Sequence, residues 1–490
     1  MSLAGATVGS PAGEVAMTDA PATRADAGRR RVAVTCLVVA AVVAAWAAIA
    51  IPARATYGAR TTADEPQYLL TALSLYEDRD LWIDDELAAE RYRPFHEVGL
   101  PVQTRPRDDG RAVSPHDPLL PAVLAVPMGL GGWAAAKATL AVLGGVLAGL
   151  LTWTAHRRLD VPLGVAAGTA LAFGAAAPLA AYATQVYPEL PAALAVTVAV
   201  AALTGPLGRR GVVTAGLAVA ALPWLGVKYV PVGAALAVVG LVRLHRRGDT
   251  RRAAALVAGL GLAAVAYLVV HRLAYGGWTV YAAGDHFTGG QLTVVGTEPN
   301  YLGRSRRLAG LVLDRGFGLA VWMPGYLLAV PALAVLARRR PAGWPALVAP
   351  LAAGWATATW VALTMHGWWW PGRQVVVVAP CLVLAIAWWA GREPAVRWWV
   401  AAAGVIGAAT WLWLVVEALG RHLTLVFDFE TTGNPVVGAW RAVLPDYRHP
   451  GPGDWARQSV WFALLGAVGW WAASGRPGSL RVPSTRRRTR

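Results

Sequence analysis

PLLPAVLAVPMGLGGW, residues 118–133, is the stretch on which the threading of this chain turns. It is apolar, but it is short of the roughly 20 residues that a helix needs to cross a bilayer, and Pro121 and Pro127 break it. If it crossed, Arg157-Arg158 and every later basic cluster would change sides. If it lies along the surface, seven clusters share one side: Arg29 to Arg31, Arg157-Arg158, Arg209-Arg210, Arg243 to Arg252, Arg338 to Arg340, Arg392 with Arg397, and Arg486 to Arg490. Basic residues concentrate on the cytoplasmic side of membrane proteins, so residues 118–133 are read as an interfacial helix.

Outward from that segment, apolar runs mark spans near 32–52, 134–155, 161–181, 187–205, 211–226, 229–243, 253–271, 317–337, 342–364, 372–390, 396–418 and 457–474. The expectation is an all-α fold: a polytopic transmembrane bundle of about 12 spans plus interfacial helices, with both termini cytoplasmic. Residues 1–31 read as a disordered cytoplasmic lead, 32–474 as the transmembrane domain and 475–490 as a basic cytoplasmic tail. Three segments remain outside: 53–117, 272–316 and 419–456. The first holds 13 Asp/Glu against 8 Arg, a net of 8 − 13 = −5 in a chain of net +16, and candidate chemistry concentrates there. Trp pairs at 388-389, 398-399 and 470-471, with Trp368 to Trp370, read as interfacial belts.

The chain is 56% hydrophobic and 15% charged, which no water-soluble core of this size can hide. Its basic residues punctuate apolar runs and form no continuous face, so nucleic acid is not expected as a partner. Cys36 and Cys381 lie in separate apolar runs, excluding a disulfide framework and a thiolate metal site. No phosphate loop, dinucleotide fingerprint, nucleophile elbow or zinc motif is present.

Asp64-Glu65-Pro66 follows the first span and opens a helix-like stretch, Gln67 to Tyr76. Acids and a proline at a helix start are ordinary capping features, while a carboxylate at the membrane boundary can also act as general base toward a hydroxyl. HGWWWPGR, residues 366–373, sets one Arg after a Pro-Gly turn at headgroup depth. Arg373 can fork two bonds to phosphate, or serve as an interfacial anchor. Lys228, in LPWLGVKYVPVG between two short spans, is one of two lysines in the chain, and reads equally as phosphate ligand or loop lysine. Arg304 and Arg307, with Arg306, form the one basic group on the outer side and suit an anionic partner. Tyr68, His116, Tyr187, Glu189, His366 and Trp369 complete the candidate pocket. Glu189 also fits simple dipole matching at a helix start, and His116-Asp117 is too small a set to expect a metal.

In order and sidedness, ADEPQYLLTALSLYEDRDL (63–81), SPHDPLLPAVLAVPMGLGG (114–132), QVYPELPAAL (185–194), DRGFGLAVWMPGYLLAVPAL (314–333) and HGWWWPGRQVVVVAP (366–380) resemble the GT-C class of membrane glycosyltransferases. The resemblance covers roughly residues 32–390. It implies transfer of a sugar from a polyprenyl-phosphate donor to a hydroxyl of a glycan, lipid or protein on the outer face of the plasma (inner) membrane. It makes Asp64 the base, with Glu65 its competitor, and Arg373 a ligand of the donor phosphate. The sizeable outer soluble domain of many relatives is missing, and no metal ligand set matches that of some relatives, so metal-independent transfer without a cofactor is expected. Arg in place of Lys, with abundant Ala and Gly, suggests a GC-rich bacterial genome and a cell-wall polysaccharide setting. The competing class is a transporter or flippase of a lipid-linked or anionic substrate.

Overall fold

The computed structural model describes residues 20–101, 103–107, 109–284 and 299–475. Among them the chain is helical, and its extended contacts are isolated bridges such as Trp82 with Val113. Each of the twelve apolar runs is occupied by helix. Six helical segments are long and apolar enough to cross a bilayer: Asp26–Ala48, Leu119–Arg158, Val227–His245, Thr250–Ala274, Arg373–Ala390 and Pro394–Leu419. The fold is a multi-pass membrane bundle. Its surface agrees: Leu37, Leu130, Leu262 and Val405 are each 70% exposed or more, a display that lipid solvates and water does not.

Prolines divide several of the shorter helical runs. The 317–337 run forms Leu319–Trp322, a 3₁₀ turn Pro324–Leu328 and a helix Ala329–Arg339, broken at Pro324, whose missing N–H cannot continue the ladder. The 161–181 run stops at Gly174 and resumes as Leu179–Tyr182. Residues 118–133 are helical and join the following span in one element, Leu119–Leu159, across a kink at Gly132 (φ 63°, ψ −161°), one residue from the expected boundary.

The first helix, Ala20–Ala48, packs on Leu119–Leu159 through small residues. A Cβ at Gly145 would lie 2.3 Å from the Ala40 carbonyl oxygen and one at Gly149 2.9 Å from that of Cys36, so only glycine admits this approach. The first helix begins at Ala20, ahead of the expected start of the first span at 32; residues 1–19 and the tail from 476 lie outside the described residues. One expectation needs correction. Trp388 and Trp389 are buried, at 2% and 7% exposure, and pack the bundle interior, whereas Trp398, Trp399, Trp470 and Trp471 face outward. A hydropathy reading cannot separate these pairs, because an indole suits both settings.

Candidate active site

Four helical starts meet at one place. Asp64 is the N-cap of Glu65–Glu77, Glu189 opens Glu189–Leu203, Lys228 lies in the turn Val227–Tyr229 that leads into Val230–His245, and Arg373 opens Arg373–Val378. Unpaired N–H groups at helix starts carry partial positive charge, so the assembly favours negative charge at this point.

Arg373 is the hub. Its Nη2 donates to Asp64 Oδ2 at 2.6 Å and its Nε to Glu189 Oε1 at 2.9 Å. Lys228 Nζ donates to the same Glu189 oxygen at 2.7 Å. The guanidinium lies over the Tyr187 ring at 4.2 Å and the Trp369 ring at 4.8 Å, which fixes its plane. Glu189 Oε2 is buried with no hydrogen-bond partner among the described residues. Two formal positive and two formal negative charges therefore neutralise one another, with acceptor capacity left over.

The Pro-Gly turn makes this geometry available. Gly372 has φ 87°, a left-handed conformation that strains other residues, and a Cβ there would come 2.8 Å from Leu319. Trp370 is fully buried beside Trp322, Trp411 and Phe429, and its carbonyl accepts from Tyr182 Oη at 2.6 Å. The Trp368 carbonyl accepts from Thr62 Oγ1 at 3.2 Å, pinning the turn to the chain just before Asp64.

Asp64 and Glu65 separate sharply. Glu65 is fully buried: its Oε1 accepts from the Thr62 N–H at 3.1 Å, its Oε2 from the Val186 N–H at 2.7 Å, and Lys137 Nζ stands 3.9 Å away. Both oxygens are committed to holding backbone. Burial raises the Glu65 carboxyl, against the pull of Lys137 and those two N–H groups. The Asp64 side chain remains 23% exposed. Burial also works to raise its carboxyl, but the Arg373 guanidinium beside it, with His116 and Lys228, more than offsets this and holds it down to about 2.

His116 stacks on Tyr68, with ring centroids 4.6 Å apart, and its Nε2 lies 3.3 Å from Gln103 Oε1. Burial pushes this imidazole down to about 4, so it is neutral at pH 7. The next residue, Asp117, anchors the arrangement: Oδ2 accepts from the Val227 N–H at 3.0 Å, and Oδ1 faces Tyr267 Oη at 2.9 Å and His271 Nε2 at 3.1 Å.

Asp64, Tyr68, His116, Tyr187, Glu189, Lys228, Trp369 and Arg373 thus belong to one connected neighbourhood. Three expected members are engaged elsewhere. Arg304 donates to the Trp360 carbonyl at 2.7 Å and Arg307 to the Ala362 carbonyl at 2.6 Å, so both cap the carbonyl end of Thr357–Val361. His366 lies edge-on to Phe317 and 3.9 Å from Asp314. Thr62, Gln103, Asp117 and Lys137 were missed as contributors to the site's frame. Two of them left a sequence signal: Lys137, as the other lysine of the chain inside an apolar run, and Asp117, as the partner of His116 at the start of the surface helix.

No family model and no curated protein matches this chain. Among solved structures it is similar to the crystal structure of ArnT from Cupriavidus metallidurans bound to undecaprenyl phosphate, with 16% sequence identity, a TM-score of 0.49, and coverage of 90% of this chain and 74% of that one.

Proposed function

We propose that this chain is an inverting membrane glycosyltransferase that moves a sugar from a polyprenyl-phosphate donor to a hydroxyl acceptor on the outer face of the membrane. The observation that carries the reading is the Arg373 fork between Asp64 and Glu189, with Lys228 on the second carboxylate. It sets a partly exposed carboxylate beside two cations at a cluster of helix starts. A glycosyl phosphate needs both parts: a base for the attacking hydroxyl and cations for the departing phosphate.

In the proposed reaction the acceptor oxygen attacks the anomeric carbon as Asp64 takes its proton. The bond from that carbon to the phosphate oxygen breaks, and its electron pair leaves with the phosphate. Arg373 and Lys228 neutralise the charge that develops there. Polyprenyl phosphate is a competent leaving group without an acid, so one carboxylate suffices, and attack opposite the departing oxygen inverts the centre. Glu65 is the poorer candidate for base, because both its oxygens already accept backbone N–H bonds.

The resting ion pair fits this order of events. While Arg373 holds Asp64, the carboxylate is a weak base. A donor phosphate that competes for the guanidinium frees Asp64 and raises its basicity, so proton transfer becomes efficient once donor is bound.

The test is transfer in proteoliposomes from a radiolabelled polyprenyl-phosphate sugar. Label on a new acceptor supports the enzyme, whereas passage of intact donor across the bilayer without cleavage supports a transporter and overturns the proposal. Arg373→Lys keeps the positive charge but loses the fork, and donor affinity should fall about tenfold or more. Parental donor affinity in that variant would remove Arg373 from phosphate binding.

A further inference from the structure

A second group of carboxylates lies at the opposite end of the helix that Asp64 opens. Asp78 follows the last residue of Glu65–Glu77, while Asp85 and Glu86 occupy the first turn of Asp84–Ala88. One oxygen from each of Asp78, Asp85 and Glu86 lies within 4.8 Å of the others. The stretch from Glu77 to Glu90 contains seven Asp/Glu and one Arg, in a chain of net charge +16.

The neighbouring acids are spoken for. Glu77 pairs with Arg91 at 2.8 Å, Glu90 with Arg93 at 2.7 Å, and Asp80 accepts from Ser74 Oγ and the Trp82 N–H, each at 3.0 Å. Asp78, Asp85 and Glu86 have no basic side chain within ion-pair distance among the described residues. Glu86 is the telling member: it is 2% exposed, and neither carboxylate oxygen has a hydrogen-bond partner among the described residues. Buried carboxylates are ordinarily paired, hydrogen-bonded or metal-bound.

We propose that Asp78, Asp85 and Glu86 form a Ca²⁺ site that ties the Asp84–Ala88 turn to the far end of the helix beginning at Asp64. The donor set is all oxygen and anionic, which suits a hard cation and disfavours metals that prefer nitrogen or sulfur. Three oxygens within 4.8 Å of one another can all be reached by Ca²⁺ at about 2.4 Å, and Ca²⁺ tolerates an irregular carboxylate set, whereas Mg²⁺ demands near-ideal octahedral geometry. Water can complete the six to eight oxygens that Ca²⁺ accepts. The site is separate from the proposed transfer chemistry, and its test does not use transfer.

The experiment is calorimetric titration of the full chain in a non-ionic detergent with CaCl₂ alone, together with thermal unfolding in CaCl₂ and in chelator. One saturable site and a higher unfolding temperature in Ca²⁺ are expected. Glu86→Gln should abolish both, but its burial makes misfolding a competing cause of loss. Asp78→Asn, at an exposed position, therefore decides: it should unfold as the parent does in chelator and bind Ca²⁺ at least tenfold more weakly. No saturable binding up to about 10 mM Ca²⁺, ten times the weak limit of extracellular Ca²⁺ modules, overturns the proposal. So does parental Ca²⁺ affinity in both Asp78→Asn and Asp85→Asn, or equal affinity for Mg²⁺.

Discussion

Two buried polar assemblies sit next to each other in this bundle, and they are built to opposite rules. Around Asp117 every acceptor is spent: one oxygen holds the Val227 N–H and the other faces Tyr267 and His271, all within 3.1 Å. Around Arg373 the groups are charged and incompletely spent, with Asp64 and Lys228 side chains 23% and 29% exposed and one Glu189 oxygen without a partner. A satisfied network rigidifies, while one with spare capacity and reach to solvent can accept a ligand. The contrast separates frame from chemistry without reference to any relative. It also explains why Asp117 matters: the Val227 N–H it holds adjoins Lys228, and His116 precedes it.

The sharpest way to break this comparison is Asp64→Asn. If the Arg373 assembly is the reacting one, transfer should fall about 10²- to 10⁴-fold, the range expected on losing a general base. Asparagine keeps an oxygen for Arg373 but not the charge, so the unfolding temperature should fall modestly, and turnover is compared per folded molecule. Parental turnover in that variant would move the chemistry elsewhere.

Glu65→Gln and Asp117→Asn probe the spent carboxylates and should fail in the other currency, stability. Each puts an amide NH₂ where an oxygen faced donors, and leaving a buried donor unsatisfied costs about 1–3 kcal/mol. Denaturant midpoints should drop, while kcat per folded molecule stays within a few-fold of the parent. A loss of kcat as large as that of Asp64→Asn, at parental stability, would erase the distinction between frame and chemistry.

Lys228→Met comes next in size. Lys228 is one of two cations on Glu189, and Arg373 remains, so donor KM should rise about tenfold, or about 1.4 kcal/mol, with a smaller change in kcat. An unchanged KM would make Lys228 part of the frame, the alternative its sequence context left open.

Run length and hydropathy made the bundle legible, because a bilayer demands an apolar stretch of each span independently. They also brought out Asp64, Lys228 and Arg373 one by one, as rare charges at span boundaries. What they could not supply was the pairing: Arg373 meets Glu189 across 184 residues and Asp64 across 309, distances at which only packing determines a partner. The carbonyls that Arg304 and Arg307 cap were illegible for the same reason, since they lie more than fifty residues away along the chain. Asp78 with Asp85 and Glu86 escaped notice because a helix end and a turn, and no fixed motif spacing, bring them together.

The smallest expected effect is a displacement in pH, and it discriminates most finely. In the free protein Asp64 is held at about 2, below its ordinary 3.8, so it stays ionised throughout the neutral range. Its contribution to stability is present above 3.8 and fades as pH falls toward about 2. In the proposed reaction donor binding would add a phosphate charge nearby and draw on the same guanidinium, and both effects would raise the Asp64 value. Because kcat/KM reports the free protein and kcat the donor complex, the acid limb of kcat should lie at higher pH than that of kcat/KM. His116 gains its proton near 4 and can contribute its own limb, so the comparison belongs in His116→Gln as well as the parent. If the two limbs coincide in His116→Gln, Arg373 does not pass from Asp64 to the phosphate, and the resting ion pair is frame like the carboxylates around it.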